Sequence, residues 1–181
     1  MVQPIPVVFV AGTAGDWRIE RIAPARGEGL PAAARLARIE GRQAAPRGSW
    51  TLRGTTSNER YVTRAEKEAL RAAQPALGRP DSTRAALIPV RKSAEWWDLA
   101  QDERRRILEE RSRHVSIGLR YLPAVARRLY HCRDLGEPFD FLTWFEYAET
   151  DAERFEELVA ELRRSPEWEF VEREVDVRLS R

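Results

Sequence analysis

The order of helical and strand patterns in the second half of the chain most restricts its possible folds. Four segments rich in aromatic, β-branched and other apolar residues have the length of strands, and two amphipathic segments have helical periodicity. The strand segments are residues 85–91, 127–132, 139–147 and 168–179, and the helical segments are residues 93–117 and 150–162. The resulting order, β-α-β-β-α-β, is that of a ferredoxin-like unit with helices on one face of an antiparallel sheet.

Local signals predict how several of these segments begin and end. A turn pattern at residues 134–138 separates the second strand from the third and predicts an antiparallel pair. Thr150 and Glu153 fit a capping box at the start of the last helix, which should end near Pro166. Pro89 lies inside the first strand and predicts either an edge position or an early end to its pairing.

The first half of the chain has a looser version of the same content. The predicted strands are residues 7–11, 16–22 and 50–57, and the predicted helices are residues 30–39 and 63–74. We therefore expect an α+β fold of two ferredoxin-like lobes, residues 1–83 and 84–181, whose antiparallel sheets join within a single domain. An apolar space between sheet and helices would then be able to hold a flat ligand.

The charge balance and the apolar segments exclude some partners. The chain has 31 Lys and Arg against 29 Asp and Glu, and a net charge of +2 produces no strong field to attract nucleic acid. The apolar run at residues 5–15 lacks a basic flank and is too short to span a bilayer. We therefore expect a cytoplasmic protein with neither a nucleic acid nor a membrane partner.

Few residues are available for metal or acid–base chemistry. His114 and His131 are the two histidines, and the single cysteine, Cys132, cannot form an internal disulfide and is predicted to be a strand residue. The chain contains no Gly-x-Gly-x-x-Gly, no Walker A sequence and no His-Glu-x-x-His. The common nucleotide-binding and zinc enzymes are therefore excluded.

Three segments resemble the short form of the chlorite dismutase family in order and spacing. They are residues 52–67, 86–97 and 114–146. The resemblance covers most of the chain from about residue 50 onward, whereas residues 1–49 share only a general likeness. It implies a fold of the dimeric α+β barrel superfamily and, because short members form homodimers, a homodimer.

The resemblance also implies roles for individual residues. His114 would ligate the iron of heme b, with one heme per subunit, and Glu167 would accept the hydrogen of its other ring nitrogen. Lys92 would pair with Glu167. Arg127 would stand over the open face of the iron, and Gln74 would hold its guanidinium.

The implied substrate is chlorite, a small anion. In the family's reaction, ferric heme takes one oxygen from chlorite and leaves a ferryl species and hypochlorite, which recombine to release dioxygen and chloride. Arg127 would hold the hypochlorite, because a guanidinium stays charged and directs several donors at an anion. Tyr61 and Trp96 resemble residues near the heme edge and propionates.

Other interpretations remain open from the sequence. A related heme protein of the same fold, such as a coproheme decarboxylase or a peroxidase-like enzyme, is one, although coproheme decarboxylases are typically longer and lack the distal arginine. A non-catalytic heme carrier or sensor is another. His131 is the rival ligand, but it lies about 13 Å along the strand from Arg127 and is expected to be a structural strand histidine.

Charged residues also have a simpler interpretation. Taken alone, a glutamate or lysine among so many charged residues is ordinarily a solvated surface group, and an arginine at the start of a strand is ordinarily at the surface. The run of Arg104, Arg105 and Arg106 with Glu109 and Glu110 predicts a solvated helix face with pairs four residues apart.

Overall fold

The computed structural model describes residues 4–41, 46–56 and 61–181, in which eight antiparallel strands close into a barrel. Ser57, the last residue of one predicted strand, and part of the first resembling segment lie outside the described residues. The strands are β1 (Pro6–Gly12), β2 (Trp17–Arg26), β3 (Arg35–Glu40), β4 (Trp50–Thr55), β5 (Arg84–Lys92), β6 (Ala126–His131), β7 (Phe141–Tyr147) and β8 (Val171–Ser180).

The strand order around the barrel is the same in its two halves. Around the closed barrel the order is β1-β3-β2-β8-β5-β7-β6-β4, and β4 pairs with β1 to close it. The first-half strands therefore run β4-β1-β3-β2 and the second-half strands run β8-β5-β7-β6, which is the same arrangement of fourth, first, third and second strand. The halves join through the long β2–β8 pairing and through β4 and β6, where Thr55 lies opposite His131. The α+β fold with joined antiparallel sheets is confirmed, and the lobe boundary between residues 83 and 84 stays a prediction.

Five α-helices lie in the described residues, mostly in the second half. They are α1 (Arg64–Ala73), α2 (Ala94–Asp98), α3 (Gln101–Arg105), α4 (His114–Arg120) and α5 (Ala152–Arg163). A π-helical turn, Arg106–Arg111, continues α3 towards α4. Helices thus connect β5 to β6 and β7 to β8, as the β-α-β-β-α-β order requires. The β1–β2 connection at residues 13–16 contains no helix.

The predicted helix at residues 30–39 is wrong, because β3 occupies its second half. Its alanine-rich sequence has high helix propensity, but β3 pairs with β1 over six positions and places Leu36 in the core with no exposed surface. Tertiary pairing overrides local propensity here. The helix predicted at residues 63–74 is confirmed as α1, with Thr63 and Glu66 forming a capping box.

Three details in the second half also differ from expectation. Pro89 lies inside β5, which pairs with both β7 and β8, and the β8 pairing skips Ile88 and Pro89, so the missing N–H is tolerated in an interior strand. The capping box predicted at Thr150 is not formed, because residues 149–151 make a 3₁₀ turn and Asp151 caps α5 without a side-chain bond. The segment Pro166–Phe170 is also 3₁₀-helical, and β8 begins only at Val171.

Two apolar cores result from this arrangement. One fills the barrel and includes Phe9, Leu36 and Trp144, each without exposed surface. The other lies between the outer face of the second-half strands and the helices α4 and α5, with Phe155 at its centre. None of the helices in the described ranges is long and apolar enough to cross a membrane.

Candidate functional site

A cavity of about 500 Å³ opens between the outer face of the second-half sheet and the surrounding helices. Its volume is in the range of small-molecule and cofactor sites. All seven residues predicted for the site line this cavity: Tyr61, Gln74, Lys92, Trp96, His114, Arg127 and Glu167. They come from β5, β6, three helical segments and two connections, so the fold brings together residues that are far apart in the sequence.

A buried chain of three polar side chains forms one wall of the cavity. The Nδ1 atom of His114 lies 2.6 Å from Oε2 of Glu167, and the Nζ atom of Lys92 lies 2.8 Å from its Oε1. Both Glu167 and Lys92 are 4% exposed. Because Nδ1 is engaged by Glu167, the Nε2 atom of His114 is the ring nitrogen available for a ligand bond.

The electrostatics of the chain favour an ionised glutamate. Burial opposes the charge of Glu167, but His114 and Lys92 outweigh it through charge and hydrogen bonding and lower the pKa of the carboxyl to about 2. Ser112 adds a third constraint, because its buried hydroxyl accepts the main-chain N–H of Glu167 at 2.8 Å. Glu167 is therefore a fixed anion that holds the hydrogen on Nδ1 of His114.

Aromatic rings surround the ammonium of Lys92. Its Nζ atom lies 4.6 Å from the ring centroid of Trp96 and 5.3 Å from that of Trp168. Cation–π attraction at these distances compensates part of the cost of burying the charge. The main-chain N–H of Lys92 donates to Asp140 at 2.7 Å, which anchors the end of β5.

The start of α4 is shaped by a carboxylate from the preceding turn. His114 is the first residue of α4, and the residue before it, Arg113, has φ of 54°, in the left-handed region, and provides no side-chain cap. Glu109 replaces that cap, since it accepts the main-chain N–H of Val115 at 2.7 Å and of Ser116 at 3.3 Å. Glu109 therefore fixes the helix terminus that carries His114.

We expect Glu109→Ala to destabilise the protein, because two N–H groups at the start of α4 lose their acceptor. Loss of such a cap costs about 1 kcal/mol, within a range of about 0.5–2 kcal/mol. Urea unfolding of the cofactor-free protein measures the change. The matched control is Glu110→Ala, which removes an exposed neighbouring carboxylate. Equal stability of the two variants would contradict the capping role of Glu109.

Arg127 extends into the cavity from β6. Its main chain is fixed in β6, opposite Phe145 of β7, and Gln74 donates from its side-chain amide to the carbonyl of Arg127 at 2.6 Å. The expected contact of Gln74 with the guanidinium is therefore made with the main chain instead. Burial lowers the pKa of the guanidinium, which nonetheless remains charged, and no carboxylate in the described ranges compensates it.

Tyr61 and Trp96 close one end of the cavity together. Their rings meet edge to face at 6.3 Å, and the indole N–H of the buried Trp96 has no hydrogen-bond partner in the described part of the chain. Arg104 donates to the hydroxyl of Tyr61 at 3.2 Å and to the carbonyl of Trp96 at 2.9 Å. Arg105 donates to the carbonyl of Tyr61.

The predicted solvated face of the arginine run is therefore only partly correct. Arg106 is exposed and forms a pair four residues apart at 3.0 Å, but its partner is Asp102, which was not part of the predicted run. Arg105, by contrast, is partly buried and forms a bidentate ion pair with Glu66 of α1. Through these bonds, Arg104 and Arg105 connect the end of α3 to Tyr61 and to α1.

His131 lies on the same outer face of β6 as Arg127 and also lines the cavity. Its ring packs edge-on against Phe141 at 5.2 Å. Glu167 contacts His114, and the assignment of His131 as a structural histidine stays a prediction. Cys132, which was predicted to be a strand residue, lies one residue beyond the end of β6. It is buried, and its thiol donates to the carbonyl of Phe139.

A family model described as chlorite dismutase matches residues 13–181, which is nearly the whole chain. The chain belongs to the chlorite dismutase family. Enzymes of this family depend on heme, so the cavity and its histidine are where the family's cofactor has to be sought.

Individual chlorite dismutases agree with this assignment. The solved dimeric chlorite dismutase from Nitrobacter winogradskyi is 56% identical, with coverage of 97% of this chain and 99% of that chain and a TM-score of 0.91. A curated chlorite dismutase from Ideonella dechloratans is 39% identical over 83 residues, which are 46% of this chain and 27% of that relative's length. The solved chlorite dismutase from Candidatus Nitrospira defluvii in complex with imidazole shares the fold, at 22% identity over 98% of this chain and a TM-score of 0.70.

Three residues around this chlorite dismutase site were missed in the sequence. Ser112 and Glu109 were not recognised because one polar residue in a charged helical segment gives no sign of which main-chain N–H it will accept. Gly118 was missed as well, although a glycine inside an amphipathic helix is itself a signal, since it lowers helix stability and usually has a packing reason.

Proposed function

We propose that this protein is a chlorite dismutase that uses one heme b per subunit to convert chlorite into chloride and dioxygen. The observation that carries the proposal is the presence of two features in one cavity. His114, Glu167 and Lys92 form a hydrogen-bonded chain, and Arg127, whose guanidinium has no carboxylate partner among the described residues, lines the same cavity. Family membership supports the same reaction.

The residues of the cavity fit a heme b group. Nε2 of His114 supplies the single nitrogen that the iron needs, because Nδ1 is engaged by Glu167. The indole N–H of Trp96 is buried without a partner among the described residues, so it is available to a carboxylate such as a heme propionate. Val90, Leu108 and Phe141 provide apolar surface for the ring.

The protein's own groups perform distinct tasks in the proposed reaction. When bound, heme b would supply a ferric iron able to accept an oxygen atom from chlorite. Glu167 holds the hydrogen on Nδ1 of His114, which fixes the tautomer and makes Nε2 a stronger donor to the iron. Lys92 keeps Glu167 ionised while both are buried, so this donor strength is maintained.

Arg127 attracts the anionic substrate and the anionic intermediate. Chlorite enters and hypochlorite forms as anions, and a guanidinium that is not neutralised by a carboxylate attracts both. In a partly apolar cavity this attraction is much stronger than in water. By retaining hypochlorite beside the heme, Arg127 would allow dioxygen and chloride to form from a single chlorite ion without an external electron donor.

Homodimer assembly is part of the same proposal. The solved relative from Nitrobacter winogradskyi, to which 97% of this chain aligns, is described as dimeric. Size-exclusion chromatography with light scattering measures the mass in solution, with a dimer of the 20.9 kDa chain as the expected species.

The proposed function is tested by oxygen evolution from heme-reconstituted protein after addition of chlorite, measured with an oxygen electrode. We expect prompt oxygen from the parent protein and none from His114→Ala. His131→Ala is the matched control, and it is expected to keep the Soret band because Glu167 contacts His114. Heme binding without oxygen would favour the heme-handling relatives, and absence of a Soret band would favour the non-catalytic alternative.

A further inference from the structure

Glu174 of β8 holds the indole of Trp168 by a buried hydrogen bond. The indole N–H donates to Oε2 of Glu174 at 2.8 Å, and Glu174 is 2% exposed. A hydrogen bond to a carboxylate is stronger than one to a neutral acceptor, and its direction restrains the plane of the ring that donates it. Trp168 follows Glu167 in the 3₁₀ turn Pro166–Phe170, so this bond ties that turn back to β8.

The indole of Trp168 faces two members of the buried polar chain. Its ring plane is 17° from that of His114, with the ring centroids 6.5 Å apart, and the ammonium of Lys92 lies 5.3 Å from its centroid. A cation is attracted to the face of an aromatic ring and not to its edge. The orientation of Trp168 therefore determines both the surface beside His114 and the cation–π contact of Lys92.

Free space beside the indole makes this restraint necessary. His114, Trp168 and Glu174 line a small cavity of about 50 Å³, which is also lined by Val159 and Leu162 of α5. Close packing ordinarily holds a buried ring in one orientation, whereas a void beside it leaves the ring room to turn. The bond to Glu174, rather than packing alone, therefore selects the orientation of Trp168.

Glu174 is itself fixed by Arg163 of α5. The Nε and Nη2 atoms of Arg163 donate to Oε1 of Glu174 at 2.8 Å and 2.6 Å, which leaves Oε2 for the indole. Nη2 of Arg163 also donates to Asp176 at 2.9 Å. Asp176 lies two residues further along β8, is similarly buried and pairs with Arg178 as well. Glu174 connects this cluster of ion pairs to Trp168.

We propose that Glu174 is a positioning residue for His114, because it holds the indole of Trp168 parallel to the histidine ring and facing the ammonium of Lys92. The inference deepens the proposed function, in which His114 binds the heme iron. Removal of a group that orients a metal ligand typically lowers metal affinity by about ten- to hundredfold. Glu174 acts through one further contact, so a smaller effect, of roughly three- to tenfold, is expected.

Heme retention in Glu174→Gln tests this role. Glutamine has the size of glutamate, but its amide has a single acceptor oxygen and cannot accept from both Arg163 and Trp168 in the same way. Transfer of heme from the ferric protein to excess apomyoglobin should be about three- to tenfold faster than for the parent. Asp176→Asn is the matched control, because Asp176 shares Arg163 and has a further arginine partner, and it should change the rate by less than about twofold. Equal acceleration in both variants would overturn the inference.

A second background shows whether Glu174 acts through Trp168. Trp168→Phe removes the N–H donor but leaves the pair of Glu174 with Arg163 in place, and it should itself accelerate heme loss. In this background Glu174→Gln should have no further effect, as expected for two residues that act through one contact. An undiminished effect there would count against the inference. If Glu174→Gln alone does not fold, Trp168→Phe decides, and an unchanged rate of heme loss would refute the role of Glu174.

Histidine signals of the cofactor-free protein separate this inference from the proposed function. The chain has two histidines, so the ring signals of His114 in an NMR spectrum are assigned by their absence in His114→Ala, with His131 as the internal reference. Glu174→Gln should shift the signals of His114 more than those of His131, and Asp176→Asn should shift neither. Unmoved His114 signals in a protein that evolves oxygen from chlorite would refute only the role of Glu174. Shifted signals in a protein that evolves no oxygen would support that role and refute the function.

Discussion

Arg127→Ala is expected to keep heme and the Soret band but to lose oxygen evolution by about a hundred- to thousandfold, the usual effect of removing one preorganised electrostatic group from a buried site. The reason is that the other cationic side chains lining the cavity are less suited to replace it. Arg71 is exposed, Arg128 pairs with Glu40 at 2.9 Å, and the ammonium of Lys92 lies 2.8 Å from Glu167. Without Arg127, chlorite loses its attraction and hypochlorite escapes before it can react further.

Two assays on the same samples measure this effect. An oxygen electrode follows turnover, and chlorination of monochlorodimedone traps released hypochlorite, which should rise per chlorite consumed. Arg91→Ala is the matched control, because it removes an exposed arginine of β5 that pairs with Glu172 at 3.3 Å. Turnover of Arg127→Ala equal to that of the control, with no added leakage, would remove Arg127 from the mechanism.

Much of the second half of the fold was predictable because its signals are local. The pair β6 and β7 flanks a turn in which Gly136 adopts a φ of 71°, as a glycine at a turn suggests. The helix α5 follows from the spacing of Phe155, Leu158 and Leu162, all of which are buried. These features depend on neighbours within a few residues, so the sequence alone contains them.

Two of the features that were predicted wrongly depend on distant partners. The segment that contains Leu36 has helical propensity, and only its pairing with β1 makes it a strand. Pro89 suggests an edge strand, yet closure of the barrel places β8 beside β5 and leaves β5 no free edge. Barrel closure joins strands from opposite ends of the chain, which local periodicity does not reveal.

The candidate site shows the same division. Glu167 lies 53 residues from His114 and 75 from Lys92, and no local pattern links three positions so far apart. The family resemblance predicted that they meet, and the structure places them in one hydrogen-bonded chain. The contact between the guanidinium of Arg127 and Gly118 was not predicted, because it depends on how α4 packs beside β6.

Glu167→Ala is expected to lower the free energy of unfolding of the cofactor-free protein by about 3–5 kcal/mol, the usual cost of removing one partner from a buried ion pair. The variant leaves the ammonium of Lys92, which is 4% exposed, without its carboxylate. Contacts of Lys92 with Trp96 and Trp168 compensate only part of this loss. Urea unfolding followed by circular dichroism measures the difference.

Two further variants separate the stranded charge from other effects. Glu172→Ala removes an exposed glutamate that pairs with the exposed Arg91, and should cost at most about 1 kcal/mol. Lys92→Met in the Glu167→Ala background removes the stranded charge and should restore part of the stability. Equal losses for Glu167→Ala and Glu172→Ala would contradict a buried ion pair.

The same carboxylate predicts how stability depends on pH. The pKa of Glu167 is about 2 in the folded protein against an ordinary value of 4.5, so its ionised form stabilises the fold above about pH 4.5. That contribution is lost as the pH falls from about 4.5 through about 2, the pKa of Glu167 in the folded protein. Glu167→Gln mimics the protonated form, so its stability deficit relative to the parent should be largest near neutral pH and shrink progressively in acid. Urea unfolding of both cofactor-free proteins between about pH 6 and about pH 3 measures this, and a deficit that does not change with pH would show that Glu167 is not held as an anion in the folded protein.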